Sequence, residues 1–279
     1  MPKKLQQRVL TALILIPSVV GGIMYLSSTV LAIALSIFVL LAAWEWTDIC
    51  GWHTNPARAS YTILIISGLI TAFLILKFHP INIYPILIIA VAWWLLMLYW
   101  QTGVQYDWLH DPVPKSSWVK AILGIVILVP AWTALVYLHQ HYTGYSVLFF
   151  FSLIWLADSS AYFIGKAWGK HKLAVKISPK KTWEGVYGAI GSGLLLSLSY
   201  TLWRNMTVHE SLLFIGLCFI TILVSILGDL AESMFKRQMH LKDSSQLLPG
   251  HGGMLDRVDS LTSAAPIFVI GTILLGIRF

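Results

Sequence analysis

Charge is scarce in this sequence. Only 11% of its 279 residues are Asp, Glu, Lys or Arg, where a water-facing domain carries roughly 25%. A chain this poor in charge cannot clothe a soluble surface. Cysteine is nearly absent too. Cys50 and Cys218 stand far apart, in or near apolar runs, which excludes a disulfide framework and leaves no zinc-type spacing. No GxxxxGK[ST] stretch occurs, so a P-loop enzyme is excluded. His53, His79, His110, His139 and His141 are scattered without ligand spacing. There is no internal repeat, no low-complexity segment and no stretch that reads as a separate soluble domain.

What the chain has is apolar length: 57% of it is hydrophobic. About nine segments, near 9–26, 29–47, 61–78, 83–101, 119–138, 145–164, 185–203, 211–230 and 260–277, match the roughly 17–25 residues needed to cross a bilayer. The first follows "MPKKLQQR" without a convincing small-residue cleavage site, so it reads as a span and not as a signal peptide. Pro17, Gly21, Gly22 and Ser27-Ser28-Thr29 place a turn between the first two spans. The expected fold class is therefore all-α, a polytopic integral membrane protein with its N-terminus in the cytoplasm. That orientation leaves only Lys77, Arg204 and Arg278 of the 19 Lys and Arg on the far side, as the positive-inside rule requires. The formal charge of +7 suits anionic partners such as lipid headgroups and nucleotides. Nothing in the pattern asks for nucleic acid.

The chain divides near Gly144. Residues 1–144 read as scaffold helices, suited to assembly. Their loops "TDICGWHTNPARAS" and "QTGVQYDWLHDPVPKSSW" offer interfacial aromatic anchors. Residues 145–279 read as the catalytic region, with three polar clusters at the same membrane face. The first is "LADSSAYFIGKAWGK", where Asp158, Ser159 and Tyr162 share a helical face and could line a polar cavity. The second is "GKHKLAVKISPKKTWEG", with six lysines within 166–181. Ser178-Pro179 breaks the chain before Thr182, a plausible N-cap, so Lys180 and Lys181 stand at the positive end of a helix, a place to hold phosphate.

The third cluster, "SILGDLAESMFKRQMHLKDSSQLLPGHGGMLDRVDS", is the densest. Asp229, Glu232, Ser233, Lys236 and Arg237 form one helical stripe running out of the membrane. Lys242-Asp243 and a Gly-His-Gly-Gly turn follow. Gly250, Gly252 and Gly253 free the backbone to approach a ligand around His251. A helix is expected from about Met254, with Asp256 and Asp259 on one face. Charged side chains at membrane depth need compensating partners. Asp229, Asp256 and Asp259 are hard oxygen donors suited to Mg²⁺, and lysine, arginine and glycine N–H groups suit phosphate. Together they are the parts of a phosphoryl or nucleotidyl transfer site.

The run from Ser233 to Asp259 resembles the signature of the phosphatidate cytidylyltransferases, or CDP-diacylglycerol synthases. That pattern is S-x-apolar-K-R, four residues, K-D-x-small, then P/G-x-H-G-G-x-x-D-R-x-D, and every fixed position is matched. "LADSSAYFIGK", "SPKKTWEG", "GDLAES" and the N-terminal "AAWEW" fit the same family in order. Ser160 stands where the family's first motif is expected to have glycine. The resemblance implies transfer of CMP from CTP to phosphatidic acid, giving CDP-diacylglycerol and pyrophosphate with one Mg²⁺ ion or two. Resemblance and charge logic together assign metal binding to Asp229, Asp256 and Asp259. Lys236, Arg237, Lys242 and Arg257 would hold the triphosphate and departing pyrophosphate, and Ser233 would donate to a phosphate oxygen. His251 and the flanking glycines would line the phosphate site, and Asp243 would position Lys242 or a metal-bound water. A homodimer in the bacterial inner membrane, its site at the cytoplasmic face, is implied as well. The competing expectations are a transferase acting on another lipid phosphate and a transporter using Asp158 and Asp229 as intramembrane coupling sites.

Overall fold

The computed structural model describes residues 17–105, 114–239, 241, 244–245, 252–277 and 279. Among them, eight helices are long and apolar enough to cross a membrane: α1 (Ser28–Cys50), α2 (Asn55–Phe78), α3 (Ile83–Gln105), α4 (Ser117–His141), α5 (Gly144–Trp168), α6 (Trp183–Trp203), α7 (Val208–Gln238) and α8 (Leu255–Leu274). Residues 17–25 are also helical; the rest of the first expected span lies outside the described residues. The protein is an all-α polytopic membrane protein. Helix is what an apolar run must adopt in lipid, where each backbone N–H and C=O needs a partner within the segment. Local chemistry sets the ends. Gly51 closes α1 with φ 75°, a left-handed conformation that suits glycine. Thr207 and Glu210 cap α7 reciprocally.

Side chains such as Ile33, Ile63, Ile70, Leu95, Leu195 and Leu212 are exposed, as lipid-facing residues must be. The most deeply buried helix is α4, which packs against α1, α2 and α8. Trp46 of α1 donates its indole N–H to the Lys120 carbonyl at 2.8 Å, and Trp132 of α4 donates to the Ala32 carbonyl at 3.1 Å. Small residues bring the remaining helices close, as is common between helices in lipid. A methyl group on Gly185 would stand 2.8 Å from the Ala161 carbonyl of α5, and one on Gly193 would stand 2.1 Å from Ile222 of α7. Helices on either side of residue 144 interlock: Gln101 of α3 donates to the Leu227 carbonyl of α7 at 2.9 Å.

The segment expected to be a simple break before α6 is instead a β-hairpin. Strand β1 (Lys172–Ala174) pairs antiparallel with β2 (Ser178–Thr182), Lys172 opposite Thr182. The ladder satisfies backbone groups that no helix covers, and along it Lys180 is exposed while Lys181 is half-buried. Helix α7 runs eight residues past the end of the apolar span at 230, so the whole charged stripe belongs to one helix, as its spacing led one to expect. Successive helices alternate in direction, which places the ends of α1, α5 and α7, the starts of α6 and α8, and the hairpin at one end of the bundle. An aromatic cluster closes the other end. Phe149 lies 4.7 Å from Tyr200 and Phe214 5.8 Å from Phe279 by ring centroids.

Candidate active site

The site begins where α7 meets α8. Gly228 makes the close approach possible: a methyl there would stand 2.2 Å from Ser263 Oγ and 2.7 Å from the Asp259 carbonyl oxygen. Ser263 Oγ in turn donates to the Val224 carbonyl at 2.8 Å. The crossing sets Asp229, the next residue of α7, beside Asp259 of α8. Lys181 reaches in from the end of β2, its Nζ 2.6 Å from Asp229 Oδ2. Thr182 follows at once as the N-cap of α6, accepting from Gly185 N at 3.3 Å, so the backbone carrying Lys181 is pinned. Asp158 of α5 completes the group. Its carboxylate lies within electrostatic reach of Asp229, Lys181 and the Ser260 side chain.

A second charged group lies farther along α7. Lys236 Nζ sits 2.8 Å from Glu232 Oε1, one turn back, and 2.5 Å from Asp256 Oδ1. All three side chains are buried or nearly so. Asp256 also accepts from Gly253 N at 2.9 Å and from Ser244 N at 3.2 Å. Expected as a metal ligand, its carboxylate is engaged by a lysine and two backbone N–H groups. Gly253, expected to offer its N–H to phosphate, donates it to Asp256. Gly252 has φ 82°, a left-handed turn that glycine enters without strain.

The other expected residues fall as follows. Ser233 is half-buried on α7, one turn beyond Asp229. Arg237 is exposed, its Nη1 3.4 Å from the Leu241 carbonyl. Arg257 is exposed in the first turn of α8, and Ser159 and Lys180 are exposed. Tyr162 is exposed as well, with the Lys166 ammonium 5.7 Å from its ring centre. Lys242, Asp243, Gly250 and His251 lie outside the described residues.

Sequence reading passed over Glu45, except as part of "AAWEW". It is buried in α1, and its carboxylate accepts from Ser244, Ser245, Met254 and Leu255. The available signal was an acid within an apolar run, which is costly at membrane depth unless partnered.

Among the described residues, no group of three or more His, Cys, Asp or Glu side chains is gathered closely enough to hold an ion alone. The donors around Lys181 are nevertheless carboxylate oxygens, and like charges crowd there: Asp229 acts on both Asp158 and Asp259. Mg²⁺ is commonly held by one or two carboxylates together with substrate phosphates. Asp229 and Asp259 fit that mode.

Carboxylates and lysines drawn from α5, β2, α7 and α8 thus meet at one end of a lipid-spanning bundle, the arrangement of a membrane protein with a charged site at the bilayer edge. The profile of the Cytidylyltransferase family matches residues 6–274. A "Phosphatidate cytidylyltransferase" of Pseudomonas aeruginosa is 40% identical over 270 residues, 95% of each chain. One of Haemophilus influenzae is 37% identical over 284 residues, covering 95% of this chain and 97% of that one. One of Staphylococcus epidermidis is 43% identical over 127 residues, 44% of this chain and 47% of its own. The chain belongs to the cytidylyltransferase family. It is a nucleotidyltransferase, which sets aside the transporter reading.

Proposed function

We propose that the chain is a phosphatidate cytidylyltransferase, acting on CTP and phosphatidic acid at the cytoplasmic edge of a bacterial inner membrane. The observation that carries this reading is the meeting of Lys181, Asp229 and Asp259 where α7 crosses α8. The relatives' names support the substrate pair. An oxygen of the phosphatidate phosphate attacks the α-phosphorus of CTP. The new P–O bond forms as the bond to the β-phosphate oxygen breaks, and pyrophosphate leaves with that electron pair. A strong general base is unnecessary, because a phosphate monoester, with a second pKa of about 6, is already largely dianionic near neutral pH.

Asp229 and Asp259 would hold Mg²⁺, with Asp158 beside them. When bound, the ion would neutralise charge on the triphosphate and polarise its phosphoryl oxygens. Lys181 then has a phosphate oxygen within reach of the position it holds beside Asp229, and Ser233, one turn along α7, would donate to another. Asp256 serves to hold Lys236 and the turn at Gly253. Arg237, Lys242 and Arg257 would attract the triphosphate and the leaving pyrophosphate, with Asp243 steering Lys242. Gly250, His251 and Gly252 would border them. Asp158, Ser159, Tyr162 and Lys180 would border the lipid phosphate. Most of the barrier reduction would come from positioning and charge neutralisation. The homodimer rests on the family resemblance alone.

The test is purified protein with CTP labelled at the α-phosphate, phosphatidate and Mg²⁺. Label should pass into a CDP-lipid. If another lipid phosphate is converted while phosphatidate is not, the substrate assignment is wrong.

A further inference from the structure

Glu45 is only 2% exposed and lies about two hundred residues in sequence from the groups that bind it. Its two oxygens divide four donors evenly. Oε1 accepts from Ser245 Oγ at 2.5 Å and Met254 N at 2.9 Å. Oε2 accepts from Ser244 Oγ at 2.9 Å and Leu255 N at 2.7 Å. Gly253 is confined beside it: a methyl there would stand 1.9 Å from Ser244 Oγ and 2.7 Å from Glu45 Oε2.

The first N–H groups of a helix have no partner within it and are ordinarily capped by a Ser, Thr, Asp or Asn of the same segment. Here the N-cap residue is Met254, which makes no side-chain cap bond. The cap comes from another helix, and a carboxylate there also meets the positive end of the α8 dipole. The start of α8 is therefore tied to α1. Ser244 extends the tie, its hydroxyl on Glu45 and its N–H on Asp256. Asp256 binds Lys236, which binds Glu232. A continuous polar chain thus runs from α1 to α7 around the turn that leads into Asp259.

We infer that Glu45 is a positioning residue for the transfer site: by capping α8 from α1 it sets where Asp259, one turn beyond Leu255, stands against Asp229. The inference rests on the proposed role of Asp259. Glu45→Gln keeps the shape but replaces one oxygen with NH₂. A hydroxyl facing that NH₂ can turn to accept, but the backbone N–H of Met254 or Leu255 cannot, so the first turn of α8 loosens. Outer groups that orient metal-binding side chains typically change metal affinity or activity about 10–100-fold when altered.

The experiment measures kcat, the half-saturating Mg²⁺ concentration and thermal unfolding in detergent for Glu45→Gln and Ser245→Ala, with amide hydrogen exchange at residues 254–259. Glu45→Gln should unfold cooperatively, exchange faster at Met254 and Leu255, lose kcat about 10–100-fold and need more Mg²⁺. Ser245→Ala, which removes one donor from a partly exposed position, should shift the same quantities less. A Glu45→Gln protein with unchanged kcat and Mg²⁺ requirement per folded molecule, even at lowered thermal stability, overturns the inference. If Glu45→Gln does not fold, an unaltered Ser245→Ala protein overturns it. Asp259→Asn, assayed in parallel, separates the two claims. Activity surviving there sinks the site assignment itself, whereas an inactive Asp259→Asn beside a normal Glu45→Gln sinks only the role of Glu45.

Discussion

Lys181 Nζ lies 2.6 Å from Asp229 Oδ2, joining the end of a two-stranded hairpin to the outer third of α7. Both side chains remain partly accessible, at 24% and 34%. A pair so placed is cheap to open, since accessible ion pairs contribute about 0–1 kcal/mol. Lys181→Met should therefore leave thermal unfolding in detergent nearly unchanged while lowering kcat about 10²–10³-fold, the range seen when one preorganised electrostatic donor is removed. Lys180→Met, an exposed position of the same strand, should lose less. Equal losses for the two lysines would mean that general positive charge, and not the contact with Asp229, is what matters.

Lys236 behaves differently because it is buried between Glu232 and Asp256. Lys236→Met leaves two carboxylates facing each other without a cation. Breaking a buried pair costs about 3–5 kcal/mol, so denaturant unfolding should show a large loss of stability along with lost activity. Adding Glu232→Gln removes one of the stranded charges and should recover part of the stability but not the turnover. Additive losses in the double variant would argue against coupling between the two side chains.

Gly228 tests the crossing that brings Asp229 to Asp259. Gly228→Ala adds a methyl 2.2 Å from Ser263 Oγ and 2.7 Å from the Asp259 carbonyl oxygen. Overpacking of this kind costs about 1–3 kcal/mol, and the shift falls on the backbone that carries Asp259. Both the unfolding midpoint and kcat should drop. Gly216→Ala on the same helix, where nothing stands within 4 Å, should change neither.

The spans were legible because their signal is a long apolar run, which a bilayer permits to be little other than helix. The stripe from Asp229 to Arg237 was legible because helical spacing alone puts those residues on one face. The same spacing carried the helix beyond the apolar span, and α7 indeed continues to Gln238. The hairpin escaped because strands of three and five residues, rich in lysine and interrupted by Pro179, carry no period-two pattern strong enough to read. Asp256 and Asp259, three residues apart, looked equivalent. Only the fold shows that one meets Lys236 while the other meets Asp229. Glu45 has no spacing signature at all, because its partners come from the far end of the chain.

The most direct measurement is transfer of α-labelled CMP from CTP to phosphatidate by Asp259→Asn beside the unaltered protein, with Mg²⁺ present and folding checked by thermal unfolding. Asparagine keeps the size of the side chain and removes the charge that would hold the ion. The unaltered protein should form labelled CDP-diacylglycerol, and the variant should fold, enter the membrane and form almost none. Turnover by Asp259→Asn close to that of the unaltered protein would contradict a transfer site built on Asp229 and Asp259.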